Sequence, residues 1–139
     1  MKTFLDHYGY RWMVHRPQES MFRKQGVCIS TAAGAGMKPT NKDMADSLFF
    51  WGVAKRYQYG VRVAAVNWNG VSEKKKCAID KATSGIAKKI VNNSKHVKPG
   101  IKTRAMFWAM HFAQRKGFNP CDAEYWKSKG WTGKKRPWK

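Results

Sequence analysis

Residues 26–53 read GVCISTAAGAGMKPTNKDMADSLFFWGV, and the fold turns on how this stretch divides. Residues 26–30, GVCIS, form a short apolar run with β-branched Val27 and Ile29, bounded by glycine before and small residues after. Such a run fits a buried strand, since β-branched side chains pack well on a pleated surface and a strand covered on both faces needs no polar alternation. A loop of small residues, TAAGAGMKP, follows. Thr40 then stands where a helix cap is expected, with Asp43 three residues on to reach back to it. Met44, Leu48 and Trp51 recur at i, i+4 and i+7, which predicts one apolar helix face, and Gly52 marks its end.

Working outward, residues 61–66, VRVAAV, are the second strand expected, ended by the turn Asn67-Trp68-Asn69-Gly70. Ser72 starts another helix, whose Ile79, Ala82, Ile86 and Ile90 share one face while lysines load the other positions. Strand, helix, strand, helix at these lengths predicts parallel strands joined by crossovers, an α/β architecture. Upstream, residues 2–13 suit a short helix carrying Phe4, Leu5, Tyr8 and Trp12, and Arg16-Pro17 biases the chain toward extended structure. Downstream of Pro99-Gly100 a helix is expected over residues 102–116, with Met106, Phe107, Met110 and Ala113 on its apolar side. Asn119-Pro120 opens a shorter helix over residues 120–129 that Gly130 stops, and the tail WTGKKRPWK is expected to lack regular structure. The chain therefore divides into residues 1–97 and a basic, aromatic-rich helical extension, residues 98–139.

With 139 residues, 42% of them hydrophobic, the chain can bury one modest core. Seven Trp, seven Phe and five Tyr exclude a solvated, disordered polymer, because burying such rings is the main gain in folding a small domain. The formal charge of +20 suits polyanionic partners: nucleic acid, anionic lipid head groups or a phosphate-bearing cofactor. Cys28, Cys77 and Cys121 are odd in number and far apart, which argues against a disulfide framework or a zinc site and for a reducing, cytoplasmic setting. The first residues lack the continuous apolar core of a secretory signal, and the longest apolar stretch, AMFWAMHFA, falls far short of a bilayer span.

The chemistry concentrates in Ser30, Thr31, Ala32, Ala33, Gly34, Ala35 and Gly36, between a strand and a helix. Small side chains leave backbone N–H groups open, and in open α/β folds ligands bind at the C-terminal ends of strands. This loop is neither G-x-G-x-x-G nor a Walker loop. The four histidines lie apart, no Ser or Cys has a recognisable base beside it, and the eight acidic residues show no pairing suited to acid–base work, so hydrolytic catalysis is not expected. Cys28, mid-strand, reads as a small buried hydrophobe.

From MKTFLDHYGYRWMVHRP through GVCISTAAGAGMKPTNKDMADSLFFWGV to VAAVNWNGVSEKK, the chain resembles the later half of flavodoxin-like NAD(P)H-dependent FMN reductases, across residues 1–95. Met1-Lys2-Thr3-Phe4-Leu5-Asp6 resembles the end of an L-K-x-F-x-D motif that opens a helix after the third strand of that family. The resemblance implies part of a flavodoxin-like three-layer sandwich, with FMN as cofactor, NAD(P)H as electron donor and flavin- or quinone-type reduction as the reaction. It places Ser30, Thr31, Ala32, Ala33, Gly34, Ala35 and Gly36 beside the isoalloxazine ring as cofactor-binding residues, with no catalytic side chain and no metal. Hydride chemistry of this kind belongs to the cofactor, which the protein positions. In the family's strand order, 2-1-3-4-5, this chain supplies the last two strands, so the phosphate loop and the loop after strand three are expected from a missing N-terminal half or from homo-oligomeric assembly.

The C-terminal segment supports a different expectation. Basic residues from Lys102 to Lys139 interleave with Trp108, Trp126, Trp131 and Trp138, as a non-catalytic module for nucleic acid would by phosphate pairing and stacking. An anionic membrane surface is the alternative, with the helix carrying Phe107 and Trp108 lying in the interface. The simplest packing instead lays the rings against the sheet and leaves the lysines solvated.

Overall fold

The computed structural model describes residues 2–139, with side chains from Thr3 onward; Met1, part of the family-like opening motif, lies outside the described residues. The elements run in the order α1 (Lys2–His7), β1 (Gln25–Ala32), α2 (Met37–Phe50), β2 (Lys55–Arg62), α3 (Glu73–Asn93), α4 (Ile101–Arg115) and α5 (Pro120–Ser128). The chain is thus α/β: β1 and β2 pair in parallel, from Gln25 against Lys55 to Ala32 against Arg62, and α2 makes the crossover.

β1 runs two residues past its expected end at Ser30, so Thr31 and Ala32 are strand rather than loop, and three further sequence expectations shift. The second strand lies over Lys55–Arg62 rather than residues 61–66. In KRYQYGVR the half-buried Tyr57, Tyr59 and Val61 alternate with the exposed Gln58, Gly60 and Arg62, so the period-2 signal is carried by tyrosines rather than by an aliphatic run. The N–H of Val63 makes a last bond to the Ala32 carbonyl at 2.9 Å, after which residues 64–66 leave the sheet and Val66 is fully exposed. The first helix ends at His7 and is followed by a separate 3₁₀ turn, Gly9–Arg11, so Trp12 lies beyond it. The crossover helix begins at Met37, three residues before Thr40, because Gly36 at φ +100° makes the turn into it. Thr40 Oγ1 bonds back to the Gly36 carbonyl at 2.9 Å instead of capping.

β1 is less buried than an aliphatic run suggests. Cys28 is buried, but Val27 and Ile29 are 38% and 55% exposed, because α2 covers one sheet face and α3 reaches the other mainly through β2. On the α2 face the fit is close: a Cβ on Gly26 would lie 2.8 Å from Leu48, and one on Gly60 would lie 2.7 Å from Met37. On the other face Tyr57 Oη donates to Gln25 Oε1 at 2.8 Å and accepts from Asn93 Nδ2 at 3.2 Å, while Gln25 Nε2 donates to the Ile90 carbonyl at 2.9 Å. These bonds tie the C-terminal end of α3 to the start of β1. Ile79, Ala82, Ile86 and Ile90 are half-buried along α3, the face that helical spacing predicts.

The main hydrophobic core is aromatic and lies away from the sheet. Met13, Phe22, Phe107, Trp126 and Trp131 are fully buried, and Phe49, Met106, Met110, Tyr125 and Trp138 pack around them. It joins α4, α5 and the C-terminal tail to the segment between α1 and β1. Tyr125 Oη donates to the Pro17 carbonyl at 2.8 Å, Trp126 Nε1 to the His15 carbonyl at 2.6 Å, and Gln114 Nε2 to the Val14 carbonyl at 3.0 Å. Asp122, 3% exposed, receives His15 Nδ1 at 2.8 Å and Arg16 Nε at 3.2 Å. The tail consists of turns, as its composition suggests, yet Trp131, Arg136 and Pro137 are buried in it. α5 has the expected Asn119 cap, whose Oδ1 accepts from Asp122 N at 3.3 Å, and Gly130 at φ +70° closes it.

Candidate functional site

Parallel pairing brings the C-terminal ends of β1 and β2 to one edge, where two loops lie side by side. The first is the small-residue loop. Ser30, Thr31 and Ala32 complete β1, opposite Gly60, Val61 and Arg62, while Ala33, Gly34, Ala35 and Gly36 turn into α2. Ser30 and Ala32 are half-buried; Thr31 and the rest of the loop are exposed. Among the described residues, no backbone N–H from Ala33 to Gly36 donates a hydrogen bond to a carbonyl. A Cβ built on Gly34 or Gly36 meets nothing within 4 Å, so the space over both glycines is open to another group.

The second loop leaves β2 and passes through a 3₁₀ turn, Trp68–Gly70, in which Asn67 Oδ1 accepts from Gly70 N at 3.0 Å. Beneath it lies a cleft of about 300 Å³ whose lining includes Arg62, Ala64, Val71 and Lys75. Trp68 is 58% exposed, with the Lys76 ammonium 5.6 Å from its ring centroid. Lys42 is paired with Asp46 Oδ2 at 2.6 Å, whereas Lys38 in the first turn of α2 and Arg62 and Lys75 along the cleft make this edge favour anions.

Behind the loop, Ser30 Oγ donates to the Met37 carbonyl at 3.3 Å, which ties strand end to helix start and leaves the hydroxyl without a base. Burial pushes the Cys28 thiol up, with the Arg56 guanidinium pulling weakly the other way, so this sulfur stays protonated and unreactive near neutral pH. Arg56 is itself lowered by burial; it donates to the Val53 carbonyl at 2.7 Å and lies 5.1 Å from the Phe49 ring. Asn41 was not anticipated. It is 3% exposed in the first half of α2, and its Oδ1 has no hydrogen-bond partner among the described residues. Within TNKD it reads as part of a cap, and only the early start of α2 turns it inward beside Gly60.

Among the described residues no three His, Cys, Asp or Glu side chains are grouped to hold a metal ion, and no helix is long and apolar enough to cross a membrane. No family model matches the chain, and neither a curated protein nor a solved structure matches it.

Proposed function

We propose that the chain is part of a flavodoxin-like NAD(P)H-dependent FMN oxidoreductase, and that residues 30–36 contact the isoalloxazine ring. The observation that carries this reading is the open loop at the carboxyl edge of a parallel βαβ unit: four consecutive backbone N–H groups without carbonyl partners among the described residues, with open space over Gly34 and Gly36. A flat heteroaromatic ring with carbonyl and ring-nitrogen acceptors matches such a row of donors, and glycine permits the close approach. The lysines of the edge suit an anionic cofactor. The flavin supplies the hydride chemistry when bound; the chain's part is to hold the ring edge and exclude water from it, which requires no nucleophile or acid–base pair.

The test is a titration of the purified chain with FMN, followed by flavin absorbance and fluorescence at low and moderate salt, on wild type and Gly34→Val. Because a Cβ at Gly34 meets nothing, the substitution leaves the fold intact while occupying the space above the loop. Saturable binding that survives moderate salt and weakens about tenfold in Gly34→Val, about 1.4 kcal/mol, is the expected result. Binding that vanishes with salt, or that the variant leaves unchanged, would remove the loop from the site.

A further inference from the structure

α4 buries Thr103, Phe107, His111 and Gln114 on one side and exposes an apolar stripe on the other. Its inner side carries Phe107, fully buried in the aromatic core. Its outer side carries Ile101, Ala105, Trp108 and Phe112, at i, i+4, i+7 and i+11, which is one straight stripe along a helix. Three of these are large and open to solvent: Ile101 is 85% exposed, Phe112 56% and Trp108 43%. The sequence pattern places the membrane-facing ring at both Phe107 and Trp108; the structure separates them, one inward and one outward.

The stripe has a basic rim. Arg104 and Arg115 follow one side of it, and Lys102 and Lys116 the other. Arg136, buried in the tail and therefore no part of this rim, lies 4.3 Å from the Trp108 ring centroid. Between Asp80 and Asp122 the chain contains no acidic residue at all.

From this arrangement we infer that the outer face of α4 docks on an anionic lipid surface, with Ile101, Trp108 and Phe112 in the headgroup–acyl boundary and the rim on lipid phosphates. The inference is independent of the flavin reading. An exposed apolar stripe flanked by Arg and Lys is the pattern of helices that lie in a bilayer interface, and the sign of the rim selects anionic lipid. A second copy of the chain is disfavoured, because pairing the stripes would oppose two basic rims. Single-stranded nucleic acid fits less well: Ile101 and Ala105 offer no ring to stack a base on, and Arg136 already occupies space over Trp108.

The experiment is co-sedimentation of the full chain with vesicles of phosphatidylcholine mixed with phosphatidylglycerol, against vesicles of phosphatidylcholine alone, for wild type, Ile101→Ser and Ile101→Ser/Phe112→Ser. Both side chains point to solvent, so the thermal melts should coincide; Ile101→Ser alone, at the first helical residue, serves if the double variant is unstable. The expected result is binding to the anionic vesicles only, weakened about threefold or more by the single substitution and about tenfold or more by the double. Equal binding by all three proteins would reduce the effect to net charge and overturn the proposal. So would the absence of binding to either vesicle, a preference for an oligonucleotide that the double variant loses, or a wild-type dimer that the double variant dissolves.

Discussion

Phe107→Ala tests whether the aromatic cluster is the principal core. The Phe107 ring is fully buried, with the rings of Trp126, Trp138, Phe22 and Trp131 at centroid distances of 4.8, 4.9, 5.6 and 5.8 Å. Truncating a buried Phe costs about 3–5 kcal/mol through lost transfer energy and the cavity left behind. Three of the four neighbours are Trp side chains held by their own contacts, so the site cannot collapse and a loss of about 4 kcal/mol is expected. Domains of this size are stable by about 5–15 kcal/mol in total, and at about 4 °C per kcal/mol the midpoint should fall by about 15 °C. The cluster is also wired to the βαβ unit: Met13 N bonds the Phe50 carbonyl at 2.6 Å, Phe49 packs on the cluster, and Arg56 reaches Thr103 Oγ1 at 3.4 Å. Thermal melts followed by far-ultraviolet circular dichroism and by tryptophan fluorescence should therefore shift together. Phe118→Ala, at an 83% exposed ring, is the control and should stay within about 0.5 kcal/mol of wild type. A shift below about 4 °C for Phe107→Ala, or a fluorescence transition that moves while the dichroism transition does not, would refute the reasoning.

Gly52→Ala should destabilise by about 2–4 kcal/mol in urea unfolding, since Gly52 has φ +86° and an added Cβ would lie 2.8 Å from the buried Phe22 ring. Of the three thiols, Cys77 and Cys121 are exposed and should react with a thiol reagent at neutral pH, whereas buried Cys28 should react only on unfolding; fast labelling of all three would contradict its burial. Cys28 also sets a pH dependence. Its folded pKa is raised by burial, so its contribution to stability is complete below the unfolded thiol pKa of about 9 and is lost as pH rises from there through the folded pKa, because the unfolded thiol ionises first. The stability difference between wild type and Cys28→Ala should accordingly shrink above about pH 9, and a difference that grows there would reverse the sign.

The parts of the fold legible in the sequence are those where local chemistry decides. Asn119-Pro120 and Gly130 bracket α5 because a side-chain cap, a residue with no N–H to lose and a positive φ act on neighbouring residues only. Ile79, Ala82, Ile86 and Ile90 mark the inner face of α3 because a long helix repeats its signal over several turns. β2 lies upstream of the expected VRVAAV for the opposite reason: its half-buried positions are the rings of Tyr57 and Tyr59, the first hydrogen-bonded to Gln25, and an aliphatic run is the stronger strand signal in a sequence. The long-range links carried no local signature. His15 and Asp122 are 107 positions apart, and nothing near either announces the other. The tail shows the same limit, since the composition of WTGKKRPWK correctly implies turns, while the burial of Trp131, Arg136 and Pro137 depends on a surface assembled from distant segments.

The position of the candidate loop was legible, but its start and support were not. Composition places small residues after an apolar run, and the fold puts them at the carboxyl edge of the sheet. What holds them there is a set of close approaches that only the strand register reveals. Gly60 stands opposite Ser30, and an added Cβ there would meet Met37 at 2.7 Å and Asn41 at 3.2 Å, so the first turn of α2 rests directly on β2. That contact fixes where the helix begins, and with Gly36 at φ +100° it fixes the path of the loop between strand and helix. The loop is thus positioned from below by Gly60, Met37 and Asn41, while the space over Gly34 and Gly36 is left clear. A substitution at Gly60 should disturb fold and loop together, whereas one at Gly34 acts on the loop's upper side alone; comparing the two separates the scaffold of the site from its contact surface.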